Sequence, residues 1–491
     1  MLTQAEFHPH LPQQRRLYEA ARSAILGQQL PARSKLPSTR SVAGELGIAR
    51  NTVIAAFKQL MAEGYVSATG GSGTFVAKTL PDESLFETPL RDDGHSGSKA
   101  ASIDHEPGQL SRRGEQLTAF AAGERFEIQP FAPGDPDFSL FPLKLWQRIQ
   151  NRVWRDARPE LLDYGQAGGY LPLRSAVAEY LHASRSVNVS VDQVMITAGT
   201  QQSLDLCAQM LADVGDTAWI EDPCYWAARR IFQSCDLQLH AVAVDGGGIA
   251  PNEADLATQP KLIYVTPSHQ YPTGVVMTLA RRRRLLDIAA AKRAWILEDD
   301  YDSEFRYSGR PLAALQGLDT YGRVVYMGTF SKILYPGIKV GYLVVPPALV
   351  EPFKTALYDL QRPGQMMVQA ALADFMSLGH FATHIRKIRL AYGAKRETLR
   401  KALTGQVGGG IAISGEDSGM HLVVELPEHV DDVALEKLAA ESGIAVKALS
   451  TYYQSKTPRR GLLVGYAYVA PGKIAYYAKL LTKIIRAGTR K

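Results

Sequence analysis

The chain has 491 residues, a length that suits one small and one large domain, or three units, better than a single ordinary domain. It is 46% hydrophobic and 21% charged, which is typical of a globular protein, and its net charge of +6 permits a nucleic-acid partner without requiring one. The sequence shows no run of about 18 apolar residues, no signal-peptide pattern and no metal-ligand spacing of its three cysteines, so we expect a cytoplasmic protein without a membrane span or a metal site.

The first 77 residues have the pattern of three helices followed by a hairpin. Apolar residues at helical spacing, Leu17, Ala21 and Ile25, predict a first helix. Ser38 is a suitable N-cap for a second helix, and Gly47 marks the turn before a third. Two β-prone runs around a glycine-rich turn then predict a hairpin.

The third helix of this unit has one apolar face and one basic, polar face. Val53, Phe57 and Leu60 form the apolar face and predict a buried side. Two helices joined by a tight turn are typical of a helix-turn-helix, whose second helix enters the major groove of DNA. A helical oligomerisation module with a solvated basic face is the alternative. The side chains available for phosphates and base edges are Arg40, Arg50, Asn51 and Thr52.

The stretch LPSTRSVAGELGIARNTVIAAFKQLMAEGYVSATGGSGTFVA resembles the winged helix-turn-helix of GntR-type bacterial regulators. The match rests on the L-P-S-x-R start, the N-T-V core and the E-G-Y…G-x-G-T-F-V ending. The resemblance implies a DNA-binding domain over residues 1–77, a small α+β fold. Its implied DNA contacts are Arg40, Arg50, Thr52 and Gly71.

Residues 78–125 change character and are rich in Ser, Gly, Asp, Glu, Arg and Pro, which predicts a flexible linker. From residue 126 to residue 491, short apolar runs alternate with helical stretches such as 278–293. This alternation predicts a large α/β domain, with a largely parallel sheet covered by helices on both faces. The last part alternates too and predicts a smaller C-terminal α+β subdomain.

Three side chains in this region suit a cofactor that carries an aldehyde and a ring nitrogen. Lys332 follows a predicted buried strand, and a lysine in an apolar site can form an imine with an aldehyde. Asp299 and Tyr301 share one face at the end of another strand, while Asp300 points away. A carboxylate there can keep a pyridinium nitrogen protonated, and a phenol can donate to a neighbouring oxygen. Most lone lysines are surface residues, and an acidic strand end could instead cap a helix or bind a metal.

Two further features are weaker evidence for a cofactor site when each is taken alone. The turn at 197–201 joins a strand to a helix and suits a phosphate, and Tyr225 follows a strand and offers a flat face for stacking. In this order the features resemble the fold-type I enzymes of pyridoxal 5′-phosphate (PLP), the aminotransferase family. The resemblance implies that Lys332 holds PLP as a Schiff base, with Asp299 at the ring nitrogen, Tyr301 at the 3′-oxygen and Tyr225 stacked on the ring.

The same resemblance implies a phosphate site and a dimer. The implied phosphate ligands are Gly199, Thr200, Gln201, Thr329 and Lys339, with Tyr164 reaching the phosphate of the partner subunit in a homodimer.

Three positions depart from the aminotransferase pattern. Tyr271 stands where these enzymes have Asn before P-T-G, and Lys339 stands where they have a phosphate-binding arginine. Leu463 occupies the place of the arginine that grips the substrate carboxylate, so we expect free α-amino acids to bind poorly. Other arginines could supply an anion contact or be surface charge, and the run 281–284 is predicted to be a solvated helix face. The candidates are Arg229, Arg230, Arg459 and Arg460.

A GntR-like head fused to such a tail resembles the MocR/GabR-type regulators. The runs T-P-S-H-Q-Y-P-T-G at 266–274 and E-D-D-Y-D-S-E-F-R-Y at 298–307 are similar to that group. The resemblance implies a PLP-dependent transcriptional regulator that binds a double-stranded DNA operator and senses PLP, alone or with an amine or amino-acid effector. The alternative is an active aminotransferase with a DNA-binding head. The missing arginine argues against turnover, and partial transamination stays open.

Overall fold

The structure is a computed structural model that describes residues 11–69, 72–78, 108–118, 129–307, 312–362, 364–404, 412–415 and 418–489. They divide into two units, one up to Pro107 and one from Gly108 onward. Among the described helices, none has both the length and the apolar character that crossing a membrane requires.

The first unit contains the predicted three helices and hairpin. Its elements are α1 (Gln13–Leu26), α2 (Thr39–Leu46), α3 (Arg50–Ala62), β1 (Val66–Thr69) and β2 (Gly73–Val76), with β1 and β2 antiparallel. Oγ of Ser38 accepts a hydrogen bond from the backbone N–H of Ser41 at 3.1 Å and so caps α2. Gly47 ends α2 with φ of 64°, a left-handed conformation that favours glycine. The apolar faces of α1 and α3 meet in one core that includes Leu17, Val53 and Leu60.

A short helix, α4 (Arg112–Thr118), lies within the span for which the sequence predicts a flexible linker. It belongs to the second unit, where Nη2 of Arg113 is 3.3 Å from Oδ2 of Asp236. Part of the span 78–125 therefore contacts the large unit. The remaining residues of that span are largely outside the described part of the chain, and its boundaries stay a prediction.

The second unit is organised around an eight-stranded mixed sheet. The strand order is β3-β10-β9-β8-β7-β4-β5-β6. Neighbouring strands from β9 to β5 are parallel, whereas β10 is antiparallel to both of its neighbours and β6 is antiparallel to β5. The strands are β3 (Val194–Thr197), β4 (Thr217–Asp222), β5 (Gln238–Asp245), β6 (Gly248–Ile249), β7 (Pro260–Val265), β8 (Trp295–Asp300), β9 (Val324–Thr329) and β10 (Gly341–Val344).

Helices cover both faces of this sheet, as the sequence predicts. Ile296 packs in one apolar cluster with Leu285 and Leu286, while the next residue along β8, Leu297, packs in another with Leu204 and Phe232. The helices of this unit that follow α4 are α5 (Leu143–Arg155), α6 (Pro159–Leu162), α7 (Leu171–Arg185), α8 (Thr200–Leu211), α9 (Trp226–Ser234), α10 (Glu253–Ala257), α11 (Leu279–Lys292), α12 (Val350–Ala356), α13 (Met366–Ser377), α14 (His380–Thr404), α15 (Asp432–Glu441) and α16 (Ile474–Thr489).

A second, smaller sheet lies near the C-terminus and confirms the predicted α+β subdomain. Its order is β11-β12-β14-β13, and every neighbouring pair is antiparallel. Its strands are β11 (Ile413–Ser414), β12 (His421–Leu426), β13 (Lys447–Ala448) and β14 (Arg460–Gly465).

The arginine run 281–284 on α11 is not a purely solvated face, so that prediction is wrong for Arg282. This side chain is buried and donates to the carbonyl oxygens of Pro267, Met277 and Ala313 at 2.8, 3.1 and 3.0 Å. The physical reason is helical periodicity, because Arg282 lies three residues before the buried Leu285 and on the same side of α11.

Candidate cofactor and DNA-binding sites

A cavity of about 280 Å³ lies at the carboxyl ends of the parallel strands, next to the first residues of β12. Ligands of α/β proteins bind in this place because the loops that follow the strands converge there. Nine of the ten predicted cofactor residues line the cavity: Lys332, Asp299, Tyr301, Tyr225, Gly199, Thr200, Gln201, Thr329 and Lys339.

Asp299 lies near the end of β8, and only one of its two carboxylate oxygens has a hydrogen-bond partner among the described residues. Oδ2 accepts a hydrogen bond from the hydroxyl of Tyr264 at 2.9 Å. Oδ1 is buried and has no hydrogen-bond partner among the described residues. Burial raises the pKa of Asp299 to about 7, although the hydrogen bond from Tyr264 opposes this rise. A protonated ring nitrogen would supply the missing donor, so this carboxylate fits PLP.

Asp300 faces the other way, as the alternation of strand side chains predicts. Its Oδ2 accepts from Nε of Arg185 at 2.8 Å and from the hydroxyl of Tyr326 at 2.6 Å. Arg185 and Asp300 are both buried, so the pair is shielded from solvent. The two successive aspartates therefore have separate roles, one toward the cavity and one within the sheet packing.

Lys332 lies in the loop that follows β9. Its Nζ donates to the backbone carbonyl of Gly134 at 2.9 Å. A Cβ atom at Gly134 would lie 3.1 Å from that Nζ, and Gly134 has φ of 79°, so a glycine suits this position on two counts. The sequence analysis missed Gly134, although the Pro-Gly-Asp-Pro run around it signals a turn.

Part of the cavity lies at the N-terminus of α8. Gly199 is the N-cap, with φ of 107°, and a Cβ atom on Gly341 would lie 2.7 Å from its Cα. Two glycines thus let the strand and helix backbones approach closely, and the first N–H groups of α8 face a binding site for an anion. Lys339 and Thr329 line the same cavity, together with Ser331, which the sequence analysis did not single out.

One side of the cavity is aromatic. Tyr225 and Tyr271 meet edge to face, with ring centroids 5.7 Å apart, and Tyr271 meets Tyr301 in the same way at 5.7 Å. The hydroxyl oxygens of Tyr271 and Tyr452 are 3.1 Å apart. Tyr271, which replaces an asparagine of the aminotransferase pattern, thus lines the cavity and packs against the tyrosine assigned to the 3′-oxygen.

Leu463 is fully buried in an apolar cluster at the place where aminotransferases carry the carboxylate-binding arginine. It packs with Val423, Leu449 and Tyr452, and Tyr271 packs against the same cluster. Leu463 does not line the cavity, so a buried apolar side chain occupies the position at which the aminotransferase pattern has a cation.

The four arginines considered as replacements contact other groups, and none of them lines the cavity. Their partners are the carbonyls of Thr451, Tyr452 and Tyr453 for Arg229, the ring of Trp226 for Arg230, Glu425 at 2.6 Å for Arg459, and Asp432 at 3.0 Å for Arg460.

Tyr164 is the one predicted cofactor residue that does not line the cavity. Its side chain is 57% exposed, and the guanidinium carbon of Arg362 lies 4.3 Å from its ring centroid. Its predicted role toward the partner subunit stays a prediction.

The predicted DNA contacts lie on the surface of the first unit. Arg40, at the start of α2, and Arg50 and Asn51, at the start of α3, are exposed, and Thr52 is half-buried. Nε of Arg50 donates to Oγ1 of Thr39 at 3.4 Å. Gly71, in the turn of the hairpin, lies outside the described residues. A basic helix beside a two-stranded wing is an arrangement that can bind the major groove and the neighbouring backbone.

Comparisons with known proteins agree with this architecture. Residues 130–463 match the family "Aminotransferase class I and II", and residues 13–76 match "Bacterial regulatory proteins, gntR family". The chain is 39% identical over 465 residues to the probable rhizopine catabolism regulatory protein MocR of Rhizobium meliloti, covering 94% of this chain and 91% of the relative. It is 30% identical to the pyridoxine biosynthesis transcriptional regulator PdxR of Corynebacterium glutamicum, covering 94% and 93%.

Solved aminotransferases share the fold of the large unit. The multiple substrate aminotransferase of Thermococcus profundus superposes with a TM-score of 0.70 and 27% sequence identity. The superposition covers 78% of this chain and 98% of the enzyme.

Proposed function

The chain belongs to the MocR/GabR-type transcriptional regulators, in which a gntR-family head precedes an aminotransferase class I and II domain, and from this premise we propose that occupancy of its PLP site controls its binding to an operator. The domain boundaries that we propose are 1–77 for the DNA-binding head, 78–125 for the linker and 126–491 for the cofactor domain. The observation that carries the proposal is the buried Oδ1 of Asp299, which lacks a donor that the ring of PLP would provide.

The side chains of the cavity divide into three groups in this proposal. Lys332 holds the aldehyde carbon, Asp299 accepts from the ring nitrogen, and Tyr225 stacks on the ring while Tyr301 donates to the 3′-oxygen. When bound, PLP supplies an aldehyde that a lysine can hold and a ring that withdraws electrons. The phosphate is assigned to Gly199, Thr200, Gln201, Thr329 and Lys339, with Tyr164 added from the partner subunit.

The effector is proposed to be PLP itself or a small amine without a carboxylate. Among the described residues that line the cavity there is no arginine to bind a carboxylate with two hydrogen bonds, and the candidate arginines contact other groups. The relatives named above are described by different metabolic roles, rhizopine catabolism and pyridoxine biosynthesis, so their effectors do not decide the effector of this chain.

We propose a homodimer that presents two heads to an operator with two half-sites. A ligand can change the arrangement of the heads only if it binds the two arrangements with different affinity. Arg40, Arg50, Asn51 and Thr52 would then contact one half-site in each head, with Gly71 at the backbone.

The test combines absorbance with DNA binding. The purified chain is titrated with PLP, then with aliphatic amines and with α-amino acids, and Lys332→Ala is the matched control. We expect a near-visible band in the wild type that K332A lacks, and a PLP-dependent change in affinity for the DNA upstream of the gene. A wild type without the band, or a K332A variant with the same band, contradicts the cofactor assignment. DNA binding that is identical with and without PLP contradicts its role as a signal.

An aminotransferase activity is the second candidate, because the four residues assigned to the ring and the aldehyde all line one cavity. The same titration addresses it: release of a keto acid from an α-amino acid would favour the enzyme, and its absence favours the regulator that senses without turnover.

A further inference from the structure

A buried histidine, His269, contacts the tyrosine that is assigned to the 3′-oxygen of PLP. Its Nδ1 is 2.9 Å from the hydroxyl oxygen of Tyr301 and 2.9 Å from Oδ2 of Asp302. His269 and Asp302 are each 1% exposed, so water does not compete for these contacts. Neither residue has a role in the site as described so far.

The surroundings of the ring indicate which nitrogen carries its hydrogen. Nε2 of His269 is buried and has no hydrogen-bond partner among the described residues. A hydrogen on Nε2 would be a buried donor without an acceptor, whereas a hydrogen on Nδ1 has the Asp302 carboxylate as its acceptor. The tautomer with Nδ1–H is therefore the one that satisfies the site.

The ring is also held in place by backbone on two sides. A Cβ atom on Gly419 would collide with the imidazole of His269, and one on Gly274 would lie 3.1 Å from its Nε2. These glycines have φ of 85° and 75°, which favours glycine at both. His269 therefore cannot rotate easily away from Tyr301.

Tyr301 keeps its own hydrogen. Burial, with a further contribution from the Asp302 carboxylate, raises the pKa of Tyr301 well above its ordinary value. A phenol has one hydrogen to donate, and an Nδ1 that already carries a hydrogen cannot accept it. The one hydrogen on Nδ1 is shared between Oδ2 of Asp302 and the hydroxyl oxygen of Tyr301, which both lie 2.9 Å away, so the hydroxyl hydrogen of Tyr301 stays available for a group in the cavity.

We propose that His269 and Asp302 are a positioning pair that directs the hydroxyl hydrogen of Tyr301 toward the 3′-oxygen of bound PLP. This inference rests on the proposed function, since it needs PLP on Lys332. His269 acts through Tyr301 and does not line the cavity. Its effect on the cofactor should therefore vanish when the Tyr301 hydroxyl is removed.

The readout is the pH at which the absorbance of the lysine-bound cofactor changes. The 3′-oxygen carries negative charge beside the lysine nitrogen, and a hydrogen bond to that oxygen lowers the pKa of the nitrogen. The titratable neighbours of His269 are Tyr301, Asp302 and His421, and Lys332 acts on Asp302 and His421 by its charge. Burial lowers the pKa of His421 to about 3, so this ring stays neutral over the range measured.

The experiment compares His269→Phe, Tyr301→Phe and the double variant in the PLP-loaded full chain. We expect H269F to raise the midpoint pH of this absorbance change by about half to one unit, and we expect Y301F to raise it as well. The double variant should shift no further than Y301F alone, because the two changes remove one interaction. His269→Asn retains an N–H donor near the place of Nδ1 and should restore the wild-type midpoint.

The chain offers a matched control in a second histidine–aspartate pair. Nε2 of His240 is 2.7 Å from Oδ1 of Asp255, and neither residue lines the cavity. His240→Phe should leave the midpoint unchanged. If H269F does not fold, His269→Leu replaces it and should raise the midpoint as well, because it also removes the N–H donor to Tyr301.

The two possible failures can be told apart. A wild-type band with an unmoved midpoint in H269F, or additive shifts in the double variant, would overturn the positioning role alone. A wild type without the band would overturn the proposed function and this inference together.

Discussion

The hydroxyl of Tyr264 donates to Oδ2 of Asp299 at 2.9 Å, which leaves Oδ1 of that carboxylate directed at no described partner. Tyr264 is fully buried in β7, the strand next to β8, so this hydrogen bond fixes the plane of the carboxylate. The free oxygen and the orienting tyrosine together prepare one acceptor for a ring N–H before the cofactor arrives.

Asp299→Asn should weaken PLP binding about ten- to hundredfold, because a charge-assisted hydrogen bond to the ring nitrogen becomes a neutral one. The measurement is the equilibrium affinity for PLP from absorbance at constant pH. Asp287→Asn, a change at the hydroxyl partner of Tyr321 on the surface, is the control and should bind PLP like the wild type. Equal affinities for D299N and wild type would contradict the assignment of Asp299.

The phosphate assignment predicts a selective loss in Lys339→Asn. Lys339 lines the cavity with φ of 48°, a left-handed conformation that asparagine tolerates better than most residues, so the backbone should be preserved. Because Lys339 is exposed to solvent, we expect only about a three- to tenfold loss of PLP affinity. Pyridoxal, which lacks the phosphate, should bind both proteins alike; an equal loss for both compounds would argue against a phosphate role.

The buried Glu221 should make the cofactor-free chain less stable as the pH rises. Burial raises the pKa of Glu221 to about 7, despite hydrogen bonds from Thr266 and Gln270. The pKa of Glu221 is thus higher in the folded chain than in the unfolded chain. Its contribution to the free energy of unfolding is therefore fully present below about pH 4.3 and is lost as the pH rises through about 7. The size of that loss is on the order of 3 kcal/mol.

Glu221→Gln should therefore flatten the pH dependence of the melting temperature of the cofactor-free chain. Relative to the wild type, we expect E221Q to have a higher melting temperature above neutral pH. In the acidic range we expect little or no difference, since both chains are then uncharged at this position. Glu253→Gln, an exposed position on α10, should keep the wild-type profile. The same profile in E221Q would mean that Glu221 does not titrate in this range.

The assignment of α3 to DNA predicts the effect of Arg50→Ala. A lost phosphate or base contact should weaken operator binding and, for a phosphate, reduce the slope of log affinity against log salt by about 1. Fluorescence anisotropy over a series of salt concentrations measures both quantities. Arg15→Ala on α1, where Arg15 pairs with Glu19 at 2.7 Å, is the control and should change neither. If R15A and R50A weaken binding equally, the effect is one of net charge.

The sequence predicted those parts of the site that depend only on the pattern of neighbouring residues. Alternation along one strand was enough to direct Asp299 toward the cavity and Asp300 away from it. The contacts of Tyr264 with Asp299 and of Gly134 with Lys332 were not predicted. Each contact joins residues far apart in the sequence, and no local pattern encodes such a pairing.

Two other cases show what the sequence alone did not reveal. The arginine run on α11 suggested a solvated face, yet the position of Arg282 on the helix turns it into the interior, where three carbonyls bind it. His269 and Asp302 lie in motifs that the sequence analysis used only to recognise a group of proteins. Their contact could not be seen before the chain was folded, because they are 33 residues apart.

The helix α9 joins two places that are far apart on the large unit. It starts directly after Tyr225, in the wall of the cavity, and its last residue, Ser234, lies two positions before Asp236, which binds Arg113 of α4. Nine helical residues span about 13 Å, so the cavity wall and the contact with α4 are separated by the length of one short helix. A single stretch of chain, from Tyr225 to Asp236, thus contributes both to the wall of the cavity and to the surface that α4 contacts.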